Sequence, residues 1–132
     1  MEKVTKEVLR DFILNNEIEL LSTHTKLCVP IINRFYRKMS YGINFSAINM
    51  DDKIICDGHH RYLASLLSKY PIQRIPAFKT TATTIVPWEL VAFEDEEWDK
   101  PHEIILLNER DANYNNISIE RIVEMLKQSV NL

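Results

Sequence analysis

The run Ile54-Ile55-Cys56-Asp57-Gly58-His59-His60-Arg61-Tyr62-Leu63-Ala64-Ser65 begins as an apolar segment of strand length and changes, at its glycine, to helical spacing. It reads as a strand, a turn and the opening of a helix. The first N–H groups of a helix have no intrahelical partner and carry partial positive charge. Gly58 allows close approach to the main chain, and Arg61 offers a planar fork that fits a phosphate or carboxylate. The expected ligand of the turn is therefore an anion, most economically the phosphate of a nucleotide.

On the N-terminal side, Phe45–Met50 and Lys53–Cys56 read as two strands around an Asp51-Asp52 turn. Before them, Pro30 suits the first turn of a helix carrying Ile31, Ile32, Phe35, Tyr36 and Met39 at helical spacing and ending before Gly42. Arg34, Arg37 and Lys38 fall off that stripe and are expected on a charged outer face. Thr5 caps an earlier helix with Val8, Leu9, Phe12 and Ile13 on one side. Ile18-Glu19-Leu20 is expected as a short strand. On the C-terminal side, the helix opened at Gly58 buries Leu63, Leu66, Leu67 and Tyr70 and stops at Pro71. Arg74–Thr80 reads as a strand, Thr80–Thr84 as a polar loop, and residues 85–94 as holding one more strand. Asp99 and Pro101 start a helix with Ile104 to Leu107, and Ser118 caps a last one with Ile119, Ile122, Val123 and Leu126. Helices, short strands with an embedded helix, then helices again make the class α+β, with a small mixed sheet flanked by helices.

A chain of 132 residues, 45% of them hydrophobic, is expected to form one domain over 1–132 with a real core. Two glycines and five prolines argue against disorder. No apolar run reaches the roughly 20 residues of a membrane span, so no membrane partner is expected. The start, Met1-Glu2-Lys3-Val4-Thr5-Lys6-Glu7, lacks the apolar centre of a signal peptide. Cys28 and Cys56 make no disulfide framework. These features fit a reducing cytoplasm.

The net charge of −3 is unevenly spread: −2 over residues 1–25, +6 over 26–80 and −7 over 81–132. The basic stretch surrounds the Asp57–Arg61 turn, as an anion site would require. The acidic last third argues against a surface that wraps duplex DNA.

The strand-Asp57-Gly58-His59-His60-Arg61-x-x-Ala64 pattern resembles the signature turn of the ParB/sulfiredoxin superfamily, over about residues 43–80. The run from Trp98-Asp99-x-Pro101 to Asp111-Ala112-x-Tyr114-Asn115 is similar to small bacterial modules of that superfamily, found alone or at the ends of polymorphic toxins. Sulfiredoxins carry a nucleophilic cysteine where this chain has His59, which argues against sulfinic-acid repair. Partition proteins carry Gly-Glu-Arg-Arg at the turn, where this chain has Gly58-His59-His60-Arg61, and a helix-turn-helix domain after it, for which little room is expected, so a partition role is not expected. The Asp-Gly-His-His-Arg form is closest to free-serine kinases and their relatives.

That resemblance implies a nucleotide-dependent enzyme of phosphoryl transfer or nucleotide hydrolysis, using ATP or ADP. Gly58, His59, His60 and Arg61 would hold the phosphates, with His60 donating to a phosphate oxygen. Asp57 would assist through Mg²⁺, or would equally well fix the turn through its backbone bonds. Glu17, Glu19, Asp51 and Asp52 are the candidates for a general base, from neighbourhood alone. Adjacent His59 and His60 point about 100° apart on a helix and do not chelate one metal together. His24 and Cys28, four apart, are a weak metal pair. Two other readings stand beside the first. One is a nuclease, as in a toxin effector module, whose turn grips a nucleic-acid phosphate. The other is a non-catalytic module that binds a nucleotide or a protein partner.

Overall fold

The computed structural model describes residues 3–78 and 83–127. The elements run α1 (Lys6–Asn15), β1 (Lys26–Cys28), α2 (Val29–Ser40), β2 (Ile48–Asp51), β3 (Ile54–Asp57), α3 (His59–Ser68), β4 (Arg74–Pro76), β5 (Ala92–Glu94), α4 (Pro101–Tyr114) and α5 (Ile119–Lys127). The class is α+β, as the sequence pattern indicates. The strands form two small sheets. One is mixed, in the order β3-β2-β4, with β2 antiparallel to β3 and parallel to β4; the other is the parallel pair β1-β5.

Thr5 caps α1 as expected, its Oγ1 accepting from the Val8 amide at 3.1 Å. Pro30 lies in the first turn of α2, and Gly42, at φ 89°, follows its end. α2 packs on α3, and α5 on both α2 and α4. Leu9, Ile32, Leu63, Ala112 and Ile122, one from each helix, join a single buried cluster with Ile48 and Ile55 of the mixed sheet. Among the described residues, no helix is long and apolar enough to cross a membrane.

Several local expectations are corrected, each by a competing contact. Residues 18–20 form no strand, because aromatic side chains take the backbone of Leu20: its amide donates to the Tyr62 hydroxyl at 3.2 Å, and its carbonyl accepts from Trp88 Nε1 at 2.8 Å. β2 begins at Ile48 rather than Phe45, since the Phe45 amide donates to the Tyr70 hydroxyl at 2.9 Å instead of to a neighbouring strand. β4 ends at Pro76, and the rest of its expected span to Thr80 is not strand as far as Phe78. Residues 79–82, including most of the threonine loop, lie outside the described residues. α3 ends at Lys69, left-handed at φ 61°, two residues before Pro71.

The buried arc of α3 is also wider than its leucine stripe. His59, Tyr62, Leu63, Ala64 and Ser65 are buried while Leu66 and Leu67 are half-buried, because α2 covers one side and β1 and β2 approach others. In α2, Arg37 and Lys38 are buried rather than on an outer face. α5 covers one of them, with the Met125 carbonyl accepting from Arg37 Nη2 at 3.4 Å. α4 supplies Asp111 to the other.

Candidate functional site

The Asp57–Arg61 turn opens onto a polar cleft of about 390 Å³. One wall is the turn itself, through Asp57 and Arg61. A second is the segment from Asn44 to Asn49. The third is the last part of α4, through Arg110, Asp111 and Tyr114. The sequence places the second and third walls against each other by a reciprocal amide clasp. The Asn44 amide donates to Asn115 Oδ1 at 2.7 Å, and Asn115 Nδ2 donates back to the Asn44 carbonyl at 3.0 Å.

The turn is built by three local features. A bulge in the β2–β3 ladder pairs Asn49 with Asp57 but Met50 with Ile55, leaving Cys56 as the extra residue. Such a bulge bends its strand and re-aims the next side chain; the side chain of Asp57 emerges 71% exposed at the cleft. Gly58 then adopts φ 103°, ψ 29°. A Cβ there would lie 2.6 Å from Ile48 Cγ2 and 3.0 Å from Arg61 Nη2. Glycine is thus required twice, by conformation and by space. Gly58→Ala is expected to destabilise the fold by about 3 kcal/mol, combining left-handed strain with overpacking. Denaturant titration measures this, and an unchanged midpoint would show that the turn relaxes without cost.

Arg61 comes off the first turn of α3. Its Nη2 donates to the Ala47 carbonyl at 3.1 Å and stands 3.9 Å from Asp57 Oδ2, while its buried Nε has no hydrogen-bond partner among the described residues. Burial lowers the affinity of this guanidinium for its proton, and the Asp57 and Asp111 carboxylates oppose that. An arginine stays charged through such shifts. Arg110 adds a second guanidinium to the cleft and, among the described residues, pairs with no carboxylate.

The two histidines do not share this wall. His59 is 1% exposed; its Nε2 accepts from the Thr23 amide at 3.0 Å, and its ring stacks on His24 with centroids 3.9 Å apart. The ring of His60, expected at a phosphate oxygen, accepts instead from the Cys28 amide at 3.0 Å and meets Trp98 edge-on. Neither ring lines the cleft. Burial, reinforced at His60 by the nearby Arg34 guanidinium, pushes His59 down to about 3 and His60 to about 4. Both are neutral acceptors that tie the segment before β1, at Thr23, and the end of β1, at Cys28, to the start of α3. What they can offer a phosphate is their backbone N–H groups.

Asp111 is absent from the carboxylates that sequence neighbourhood suggests, yet it is the second carboxylate of the cleft. Its Oδ2 is 2.7 Å from Lys38 Nζ, with both side chains under one-tenth exposed. Burial pushes the Lys38 ammonium down, and the Asp111 charge opposes it. Glu17, Glu19, Asp51 and Asp52 do not line the cleft, and Glu19 pairs with Arg74 at 2.8 Å. The sequence signal for Asp111 is its interruption, with Asn108, of an otherwise apolar stripe on α4; both are buried.

The uneven charge along the chain turns out to be pairing across the fold. Lys26 meets Glu94, Arg34 meets Glu97 and Asp99, and Lys38 meets Asp111. Among the described residues, no group of three or more His, Cys, Asp or Glu side chains converges as a metal cage. Comparison with family models, curated proteins and solved structures finds no match to this chain.

Proposed function

We propose that the cleft binds the phosphates of a nucleotide and that the protein is an enzyme of phosphoryl transfer or nucleotide hydrolysis, on a ParB/sulfiredoxin-like turn. The observation that carries this reading is the pair of guanidiniums, Arg61 and Arg110, facing one polar cleft at the start of α3. Arg61 sits where a helix presents its unpaired N–H groups, so main chain and side chain favour the same charge. Glycine at position 58 permits the left-handed turn after which Arg61 reaches the cleft. The cleft volume lies within the range of small-ligand sites, about 300–1,000 Å³.

Asp57 is suited to Mg²⁺. That ion is typically held by one or two carboxylates together with phosphate oxygens and water, rather than by a protein-only cage. An exposed carboxylate at the edge of an anion cleft meets that requirement, and the ion would neutralise charge on the transferred group. The chain's own part is to hold the phosphates at Gly58 and Arg61 and to orient them. Catalysis here would come from positioning and charge stabilisation rather than from a covalent intermediate.

Thermal unfolding with ATP, ADP, CTP and GTP, each with and without Mg²⁺, tests the reading. A ligand present at about 100 times its Kd adds roughly 2.7 kcal/mol, several degrees for a domain of this size. The shift is expected in the wild type and lost in Arg61→Ala. Equal shifts in both proteins would remove Arg61 from the site. No shift with any nucleotide would leave the nuclease or protein-binding readings in its place.

A further inference from the structure

The proposed site has phosphate-holding groups but needs an acceptor for the proton of the attacking oxygen. Asp57 is a poor choice. It is largely exposed, lies beside Arg61, and is the carboxylate suited to Mg²⁺. The other carboxylate of the cleft is Asp111, and its setting differs in every respect. It is nearly solvent-free, it lies on the α4 wall of the cleft, and Lys38 holds one of its oxygens. Arg110, one residue earlier on α4, shares the same cleft.

Stability gives no reason for this arrangement. A buried ion pair is commonly matched or surpassed by apolar residues of similar volume. What the pair does achieve is to fix a carboxylate at the cleft, in a place that strips water from it, with an ammonium group against one oxygen. An ionised, poorly hydrated carboxylate facing bound phosphate is what a general base requires.

We propose that Asp111 is the proton acceptor of this cleft, acting on a water that attacks the terminal phosphate of a nucleoside triphosphate. The inference rests on the phosphate reading of the cleft. In the step, the water oxygen forms a bond to the terminal phosphorus, and the bond from that phosphorus to the bridging oxygen breaks. The electron pair of the broken bond leaves on the nucleoside diphosphate. The proton of the water passes to the Asp111 carboxylate and returns to solvent when inorganic phosphate departs. Lys38 is a positioning residue: it holds the carboxylate in place through one oxygen and touches no reacting atom.

The test uses Mg·ATP as the probe and reads both phosphate release and the ATP-induced shift in Tm. Asp111→Asn removes the acceptor but leaves the Lys38 charge buried. Lys38→Met/Asp111→Asn removes both charges and guards against misfolding of the first variant. In each, kcat is expected to fall by about 100-fold or more, while KM and the ATP-induced shift stay near the wild-type values. Arg61→Ala is expected to do the opposite at the binding step, losing the shift. A folded double variant that binds ATP and keeps kcat within a few-fold overturns the role of Asp111 and leaves the cleft reading intact. Wild-type protein that binds ATP without releasing phosphate also overturns it. Wild-type protein that shows no ATP-induced shift sinks the phosphate reading and this inference together.

Discussion

Acidification from pH 7 to pH 4 is expected to unfold this protein, with His59 and His60 as the main cause. Both rings are neutral in the folded state because each accepts a backbone N–H and is removed from water. Their folded values, about 3 and about 4, lie below the ordinary 6.5. Between those values the unfolded chain binds protons that the folded chain refuses, so stability rises with pH in that window. Their contribution is fully present above about 6.5 and is lost progressively as pH falls toward 4 and then 3. Each ring costs roughly 1.4 kcal/mol per pH unit, or roughly 3 kcal/mol by pH 4. Two of them approach the 5–15 kcal/mol that domains possess in total.

Protonation would turn each acceptor into a donor facing another donor, at Thr23 and at Cys28. β1 and the segment before it would then come away from the start of α3. Denaturant midpoints at a series of pH values measure the slope. His60→Gln keeps an acceptor for the Cys28 amide and removes the titration, so its slope between pH 6 and 4.5 should be shallower by about one proton. A slope identical to wild type would remove His60 as a cause.

These two residues also show what the sequence can and cannot convey. Local signals are readable where local chemistry rules: the Thr5 cap, Pro30 in a first turn, the Asp52 turn and the Gly58 turn all stand where short-range rules put them. Gly58 and Arg61 are readable as a pair, because both follow from a strand meeting a helix. His59 and His60 mislead, because adjacency on a helix says only that two rings diverge. Which way each points depends on what is packed there, and residues 20–28 arrive from a distant part of the chain.

The same holds for the third wall of the cleft. Asp111 is 54 residues from Asp57 in sequence, and only the docking of α4 against α2 and the clasp between Asn44 and Asn115 bring the two to one cavity. Arg37 and Lys38 read as surface because charge on a helix usually is. In α2, two later helices cover that side, and burial is compensated by a carbonyl and a carboxylate that the local pattern cannot foresee. The apolar residues of α4 show the converse: Ile105 and Leu106 stand 54% and 60% exposed, since α4 turns Asn108, Asp111 and Ala112 inward instead.

Lys38→Met is expected to destabilise the protein by about 4 kcal/mol, a larger loss than that of Gly58→Ala. Methionine fills much of the space of a lysine stem, so packing is largely kept. What is lost is the charge opposite Asp111, and a buried carboxylate without its partner costs about 3–5 kcal/mol. The double variant Lys38→Met/Asp111→Leu removes both charges. It should recover most of the loss, because the 2.7 Å contact compensates two desolvations rather than adding net stability. A double-mutant cycle on unfolding free energies measures the coupling directly. If both variants are equally unstable, Lys38 matters through packing and the pair is structural. If the double variant is as stable as wild type, the ion pair is dispensable for folding. Its presence against the cleft that holds Arg61 and Arg110 is then what the proposed proton transfer at Asp111 would account for.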